Sequence, residues 1–265
     1  MRLLPLAEGV RTLLGIFETM EDAGRAVTAI MASGLMPAAI EIVDQATIRA
    51  LEASVFAAGY PVDAGAALVV EFDGTEVGLD ADADRAEKCC LAEGAREVQR
   101  ATEPEHRAAL WTARKKAFGA MGRIAPDLLV QDATVPRTKL PEVLVRIAQI
   151  GESYDIKIAN VFHAGDGNLH PNLLFDRQNA SELERVEHAS KEIMKLCVEV
   201  GGTITGEHGV GIDKRDYMPL VHNETELEML RSVKELFDPD GLFNPGKVLP
   251  SRAAPGSESP AGMTS

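Results

Sequence analysis

Basic residues are scarce in this chain. Its 265 residues hold 27 Lys and Arg against 41 Asp and Glu, a formal net charge of −14. That balance argues against nucleic-acid binding, because phosphate contacts need clustered cations. Cysteine is equally sparse. Three residues, two of them adjacent (Cys89 and Cys90), make no disulfide framework and suit a reducing compartment. No apolar run approaches the roughly 20 residues of a membrane span. The opening Met1-Arg2-Leu3-Leu4-Pro5 is too short, and too soon broken by proline, for a secretory signal. The chain also lacks a Gly-x-Gly-x-x-Gly after a strand, a P-loop or any other glycine-rich phosphate cradle. With hydrophobic residues at 45% and charged residues at 26%, it reads as a globular protein able to bury a sizeable core.

The most informative stretch is Val161-Phe162-His163-Ala164-Gly165-Asp166-Gly167-Asn168-Leu169-His170-Pro171-Asn172. Two apolar, β-leaning runs flank Asp166-Gly167, a dipeptide that favours a two-residue type I′ hairpin turn. With those two residues as the turn, His163 pairs with His170. Directly opposed residues share a face with Cβ atoms about 4.5–5.5 Å apart, so the two imidazoles can converge on one metal ion. Asn172 faces the same way. A second stretch, Gly201-Gly202-Thr203-Ile204-Thr205-Gly206-Glu207-His208-Gly209-Val210-Gly211, sets a carboxylate beside an imidazole between glycines. In a regular strand Glu207 and His208 point to opposite faces, so a shared site requires a bend there.

In order, the pattern predicts a strand over Arg11 to Glu18, a helix capped by Thr19 and stopped by Gly34, and a strand over Ala38 to Val43. A helical insertion (Ala46 to Ala58), a strand (Ala67 to Phe72), a helix (Asp80 to Glu93) and a strand (Arg96 to Gln99) follow. That is β-α-β-β-α-β with one insertion, the ferredoxin-like pattern. A long helix from Glu103 to about Phe118 leads out, and the pattern restarts. It gives a strand over Leu128 to Val135, a helix over Thr138 to Tyr154, the histidine hairpin, and a helix opened by a Ser181-x-x-Glu184 capping box. A last strand covers Thr203 to Thr205. Cys197 falls on the apolar stripe of that last helix as an inert buried thiol. A final helix, Glu224 to Phe237, is capped by Asn223. The expected fold is α+β: two ferredoxin-like (βαββαβ) halves, an antiparallel sheet with helices packed on one face, and C-terminal helices. The expected boundaries are 1–100 for the first half, 101–126 for the linking helix, 127–210 for the second half and 211–250 for the C-terminal segment. Residues 251–265, rich in Ser, Pro, Ala and Gly, read as a disordered tail.

His163-x-Gly-Asp-Gly-Asn-x-His170, followed by Gly206-Glu207-His208-Gly209 and Asp238-Pro-Asp-Gly-Leu-Phe-Asn-Pro-Gly-Lys247, resembles the C-terminal domain of FAD-linked 2-hydroxy-acid oxidases. The similarity runs from about Arg2 to Pro250. The resemblance implies oxidation of glycolate or D-lactate to the 2-oxo acid, with hydride passing to FAD. FAD would be held mainly by an N-terminal domain that precedes this one and is absent here. A truncated chain is expected, rather than a split gene, and it should be inactive alone.

By resemblance, a divalent metal (zinc or manganese) is held by His163, His170 and Glu207, and His208 is the base. The other reading makes His208 structural and Glu207 a capping acid. Arg114 matches an arginine that grips the substrate carboxylate, though Arg114-Lys115-Lys116 also reads as the solvated side of a helix. Asn172 matches a substrate contact or satisfies a strand edge. Asn244 matches a residue near the flavin or fixes a turn. Phe118 and Val130 stand where the hydroxyglutarate branch places a threonine and a lysine for a second carboxylate, which favours a small monocarboxylate. The implied partners are that 2-hydroxy monocarboxylate, an FAD-binding domain or subunit, and an iron–sulfur electron-acceptor subunit. The expected location is cytoplasmic, or peripheral at the inner face of the membrane. Two alternatives stand beside this reading, a metal-dependent hydrolase and a non-catalytic metal-binding module. The first lacks a His-Glu-x-x-His helix, and the second keeps all three ligands.

Overall fold

The computed structural model describes residues 6–252. The disordered tail expected from Ser251 lies, from residue 253 onward, outside the described residues, as does most of the N-terminal stretch read for a leader. The chain divides into two compact units, one ending at Gly206 and the other starting at Glu207.

In the first unit, β1 (Gly9–Phe17), α1 (Met20–Ala32), β2 (Ala39–Asp44), α2 (Gln45–Glu52), β3 (Ala66–Gly74), α3 (Glu76–Ala92) and β4 (Glu97–Arg100) make the first half. The local causes are those of the residue pattern. Thr19 caps α1 by accepting from the Asp22 amide, and Asp44 caps α2 by accepting from the Thr47 amide at 2.8 Å. The strand order β4-β1-β3-β2, all antiparallel, is ferredoxin-like.

The linking helix α4 (Pro104–Met121) carries proline in its first turn, where the missing N–H costs nothing. The second half contains β5 (Asp127–Val130), β6 (Ala133–Thr134), α5 (Leu140–Ser153), β7 (Lys157–His163), β8 (Asn168–Leu169), β9 (Pro171–Phe175) and α6 (Ala180–Glu199). Here β7 pairs with both β8 and β9, β9 with β5, and β8 with β6. A bridge from Thr134 to Thr203 stands where a sixth strand was expected. β2 pairs antiparallel with β7 and fuses the halves into one nine-stranded sheet.

Three local expectations change. The strand expected over Leu128 to Val135 is interrupted at Gln131-Asp132, giving β5 and β6. The cap of α6 is Asn179, whose side chain accepts from the amides of Ser181 and Glu182, not Ser181. Helices on one face hold for α1, α3, α5 and α6. The linking helix and the insertion instead cover the opposite face. Leu110, Ala113 and Ala117 of α4 and Ile48 and Leu51 of α2 share one buried cluster with Leu14, Ile16, Val43, Val69, Ala159 and Val161 of the strands. Cover on both faces explains why β2 and β3 read as near-continuous apolar runs instead of alternating.

The second unit carries Glu207 and His208, a 3₁₀ turn over Arg215–Leu220, and α7 (Glu224–Phe237). Asn223 and Glu226 form a full capping box at the start of α7. Its end is closed by Asp238, which accepts from the Leu242 and Phe243 amides. The Lys234 ammonium beside it, aided by those amides, holds the Asp238 carboxyl below the ordinary aspartate range. Among the described residues, no helix is long and apolar enough to cross a membrane.

Candidate metal and substrate site

The turn between the histidines differs from the expected one. Ala164–Asp166 form a short 3₁₀ turn and Gly167 takes the left-handed conformation, φ 71°. His163 therefore lies opposite Asn168, not His170, and Asn160 lies opposite Pro171. The loop has grown from two residues to four, and the register has moved by two. An even shift preserves facing, so His163 and His170 remain on one face as a diagonal pair. Their ring centroids lie 5.2 Å apart, nearly perpendicular, and each offers a ring nitrogen within 4.8 Å of the other's.

Both rings are held from behind. His163 Nδ1 lies 2.8 Å from Glu41 Oε1, and His170 Nδ1 lies 3.2 Å from the Gln131 carbonyl oxygen. Each acceptor favours the neutral tautomer that carries its proton on Nδ1 and its lone pair on Nε2. This carboxylate-or-carbonyl backing is the outer shell that metal-binding histidines use. His170 is buried and His163 half-buried.

Glu41 and Asp132 are the residues that the sequence reading missed. Glu41 lies on β2 directly opposite His163 and is buried among apolar neighbours. Its second oxygen accepts from Arg114 Nε at 2.8 Å, and Arg114 Nη2 lies 2.7 Å from the same oxygen in ionic contact, without the alignment of a second hydrogen bond. Arg114 is thus 6% exposed, and the solvated-helix alternative does not hold. Asp132 occupies the break between β5 and β6, where the register on either side sets it opposite His170. It is wholly buried and accepts from the Thr205 hydroxyl at 2.7 Å and the Gly206 amide at 3.1 Å.

By alternation, Asp132, His170, His163 and Glu41 line one face across four adjacent strands, the face covered by α4. Phe118 of α4 meets His170 edge-on at 6.5 Å between centroids. Val130 lies opposite Asn172. Asn172 is fully buried and donates its amide to the carbonyls of Ala159 (2.9 Å) and His170 (2.7 Å). Its Oδ1 has no hydrogen-bond partner among the described residues.

In the second unit, Glu207 and His208 are both exposed, with His208 Nε2 3.5 Å from Glu207 Oε1. Their side chains therefore do not diverge as in a strand, and Gly209 (φ 78°) follows in the left-handed region. Asn244 (φ 48°) sits in the C-terminal loop with Lys247 Nζ 3.4 Å from its Oδ1.

Known proteins align with this sequence over nearly the whole chain. Glycolate oxidase subunit GlcD of Escherichia coli (strain K12) is 46% identical over 250 residues, 94% of this chain and 50% of that protein. The mitochondrial D-lactate dehydrogenase [cytochrome] of Arabidopsis thaliana is 29% identical over 236 residues, 88% of this chain and 41% of that protein. The chain thus spans about half the length of the curated relatives it matches. A solved structure of 4-ethylphenol oxidase from Gulosibacter chungangensis superimposes with a TM-score of 0.70 at 15% identity, covering 95% of this chain and 56% of that one. At that identity the likeness shows the fold alone. The family model for FAD linked oxidases, C-terminal domain, matches residues 6–248, and the chain belongs to that family.

Proposed function

We propose that this chain is the metal- and substrate-binding domain of a flavin-dependent 2-hydroxy-acid oxidoreductase acting on glycolate or D-lactate. The observation that carries the reading is the pair of histidines on one sheet face, each with Nδ1 held by an oxygen. Such a pair fits a divalent cation, zinc or manganese, and we assign Glu207 as the third ligand. Covalent continuity supports that assignment. Gly206 is tied to Asp132 through its amide, and the Glu207 Cα follows about 3.8 Å along the chain.

When bound, the cation would supply Lewis acidity, and FAD, held mainly by another domain, would supply the hydride acceptor. The chain's own residues do the rest. His208 takes the hydroxyl proton on an imidazole nitrogen. Arg114 Nη2, buried without an aligned acceptor, is the donor assigned to the substrate carboxylate. Asn172 holds the His170 backbone through its amide and presents Oδ1 to the substrate. Phe118 and Val130 beside these residues offer nothing to a second carboxylate, which supports a monocarboxylate over a dicarboxylate. Asn244 is assigned to the flavin on its motif alone. The name of the GlcD relative marks it as a subunit, which supports a role inside a larger assembly; on the motif resemblance alone we assign its other parts as an FAD-binding domain or subunit and an iron–sulfur acceptor subunit. We place that assembly in the cytoplasm or at the inner face of the membrane.

The test uses the enzyme with its flavin domain. His208→Ala should keep the metal and lower turnover by the roughly 10²–10⁴-fold of a lost general base. Glu207→Ala should lower metal content and turnover together. The reverse pattern, metal lost with His208→Ala and kept with Glu207→Ala, would exchange the two roles.

A further inference from the structure

Glu41 has no place in the ligand or base assignments, yet its two carboxylate oxygens are divided between two functional groups. Oε1 faces His163 Nδ1 at 2.8 Å, and Oε2 accepts from Arg114 Nε at 2.8 Å. It is 7% exposed on the central strand pair that joins the two halves. Burying an ion pair in such a place is not a route to stability, since a well-packed apolar pair of similar volume serves as well or better. The division of the carboxylate is what an apolar pair could not reproduce.

We propose that Glu41 is a positioning residue for both the metal ligand and the substrate arginine. On one side its carboxylate holds the His163 proton on Nδ1 and directs the lone pair of Nε2 to a cation. On the other it fixes the Arg114 fork, accepting from Nε and holding Nη2 in ionic contact without an aligned hydrogen bond. Because β2 belongs to the first half and His163 to the second, the contact also sets the ligand against the strand pairing that unites the halves. Three neighbouring strands would hold the sheet without it, since β3 flanks β2 and both β8 and β9 flank β7. This inference rests on the reading of His163 and His170 as metal ligands, and its test separates the two.

Zinc(II) titration of the wild-type chain comes first. Absence of stoichiometric binding there would remove the ligand reading itself. With binding established, Glu41→Gln should weaken zinc affinity by roughly 10- to 100-fold, the usual effect of losing an outer-shell partner. Nitrogen NMR of the metal-free proteins at pH 8 supplies a readout that packing alone would not move. His163 should be the Nδ1–H tautomer in the wild type and lose that preference in Glu41→Gln. Should Glu41→Gln fail to fold because it strands the Arg114 charge, the double variant Glu41→Gln/Arg114→Met removes both charges together. The double variant should fold and show the same loss of affinity. Zinc affinity within about twofold of wild type in a folded variant, with the His163 tautomer unchanged, would overturn the proposal.

Discussion

Two glycines in the turn between the histidines should respond differently to the same substitution. Gly167 has φ 71°, and a Cβ placed there would overlap the Val135 carbonyl oxygen. That carbonyl is backbone, so no side chain can swing away. Val135 is also tied to the turn by its own amide, which donates to the Gly167 carbonyl at 2.9 Å. The left-handed conformation costs an alanine about 1–2 kcal/mol. Relieving the overlap adds about 1–3 kcal/mol, the usual range for overpacking. Gly167→Ala should therefore lose about 2–5 kcal/mol. Gly165, two residues earlier, has no positive φ, and its Cβ would rest at 3.4 Å from the Ile40 Cβ, an ordinary contact. Gly165→Ala should stay within about 0.5 kcal/mol of the wild type, as neutral substitutions do. Urea unfolding of the three proteins, followed by far-UV circular dichroism, measures the difference. If Gly167→Ala proved as stable as Gly165→Ala, the four-residue turn described here, and the diagonal pairing it imposes on His163 and His170, would be wrong.

Burial pushes the thiols of Cys90 and Cys197 up to about 12, while Cys89 is half-buried. Under native conditions at pH 8 a thiol-specific disulfide reagent should label Cys89 and spare the other two, with all three reacting in denaturant. Rapid native labelling of Cys197 would contradict its place on the buried face of α6. The buried Asp44 carboxyl is raised above its ordinary value by desolvation, offset in part by bonds from Thr47 and Asn160. A raised folded-state value means that the contribution of this group to stability is fully present below about pH 4 and falls as pH rises through the folded value. The stability gap between wild type and Asp44→Ala should accordingly be wider at pH 4 than at pH 7 in urea titrations, and the opposite trend would refute the sign.

Where a single local signal decided the structure, the sequence was legible. Thr19 and Asn223 cap α1 and α7 as their positions suggest, and β1 to β3 follow the apolar runs to within a few residues. The ferredoxin-like pairing followed from element order alone. Legibility failed where two signals competed. At the start of α6, Ser181-x-x-Glu184 predicts a cap at Ser181, but Asn179 stands two residues earlier and accepts from two of the four orphan amides, those of Ser181 and Glu182. Asp166-Gly167 is a strong two-residue turn signal, yet Gly167 is spent on one left-handed position after a 3₁₀ turn. Glu41 was hidden because a lone acid within Ile40-Glu41-Ile42-Val43 looks like a blemish in an apolar strand until Arg114 and His163 are seen around it. Asp132 was hidden by the apolar flanks that made one strand of Leu128 to Val135. The face on which His163 and His170 meet survived the misread register because the slip was even.

Whether His163 and His170 hold a divalent cation is decided by metal content. The wild-type chain, purified without chelator or incubated with zinc or manganese and then desalted, should carry about one ion per chain by elemental analysis, as the ligand set offers one site. His163→Ala and His170→Ala should each carry essentially none while remaining folded. A folded wild-type chain with no stoichiometric metal after incubation with either ion would contradict the account.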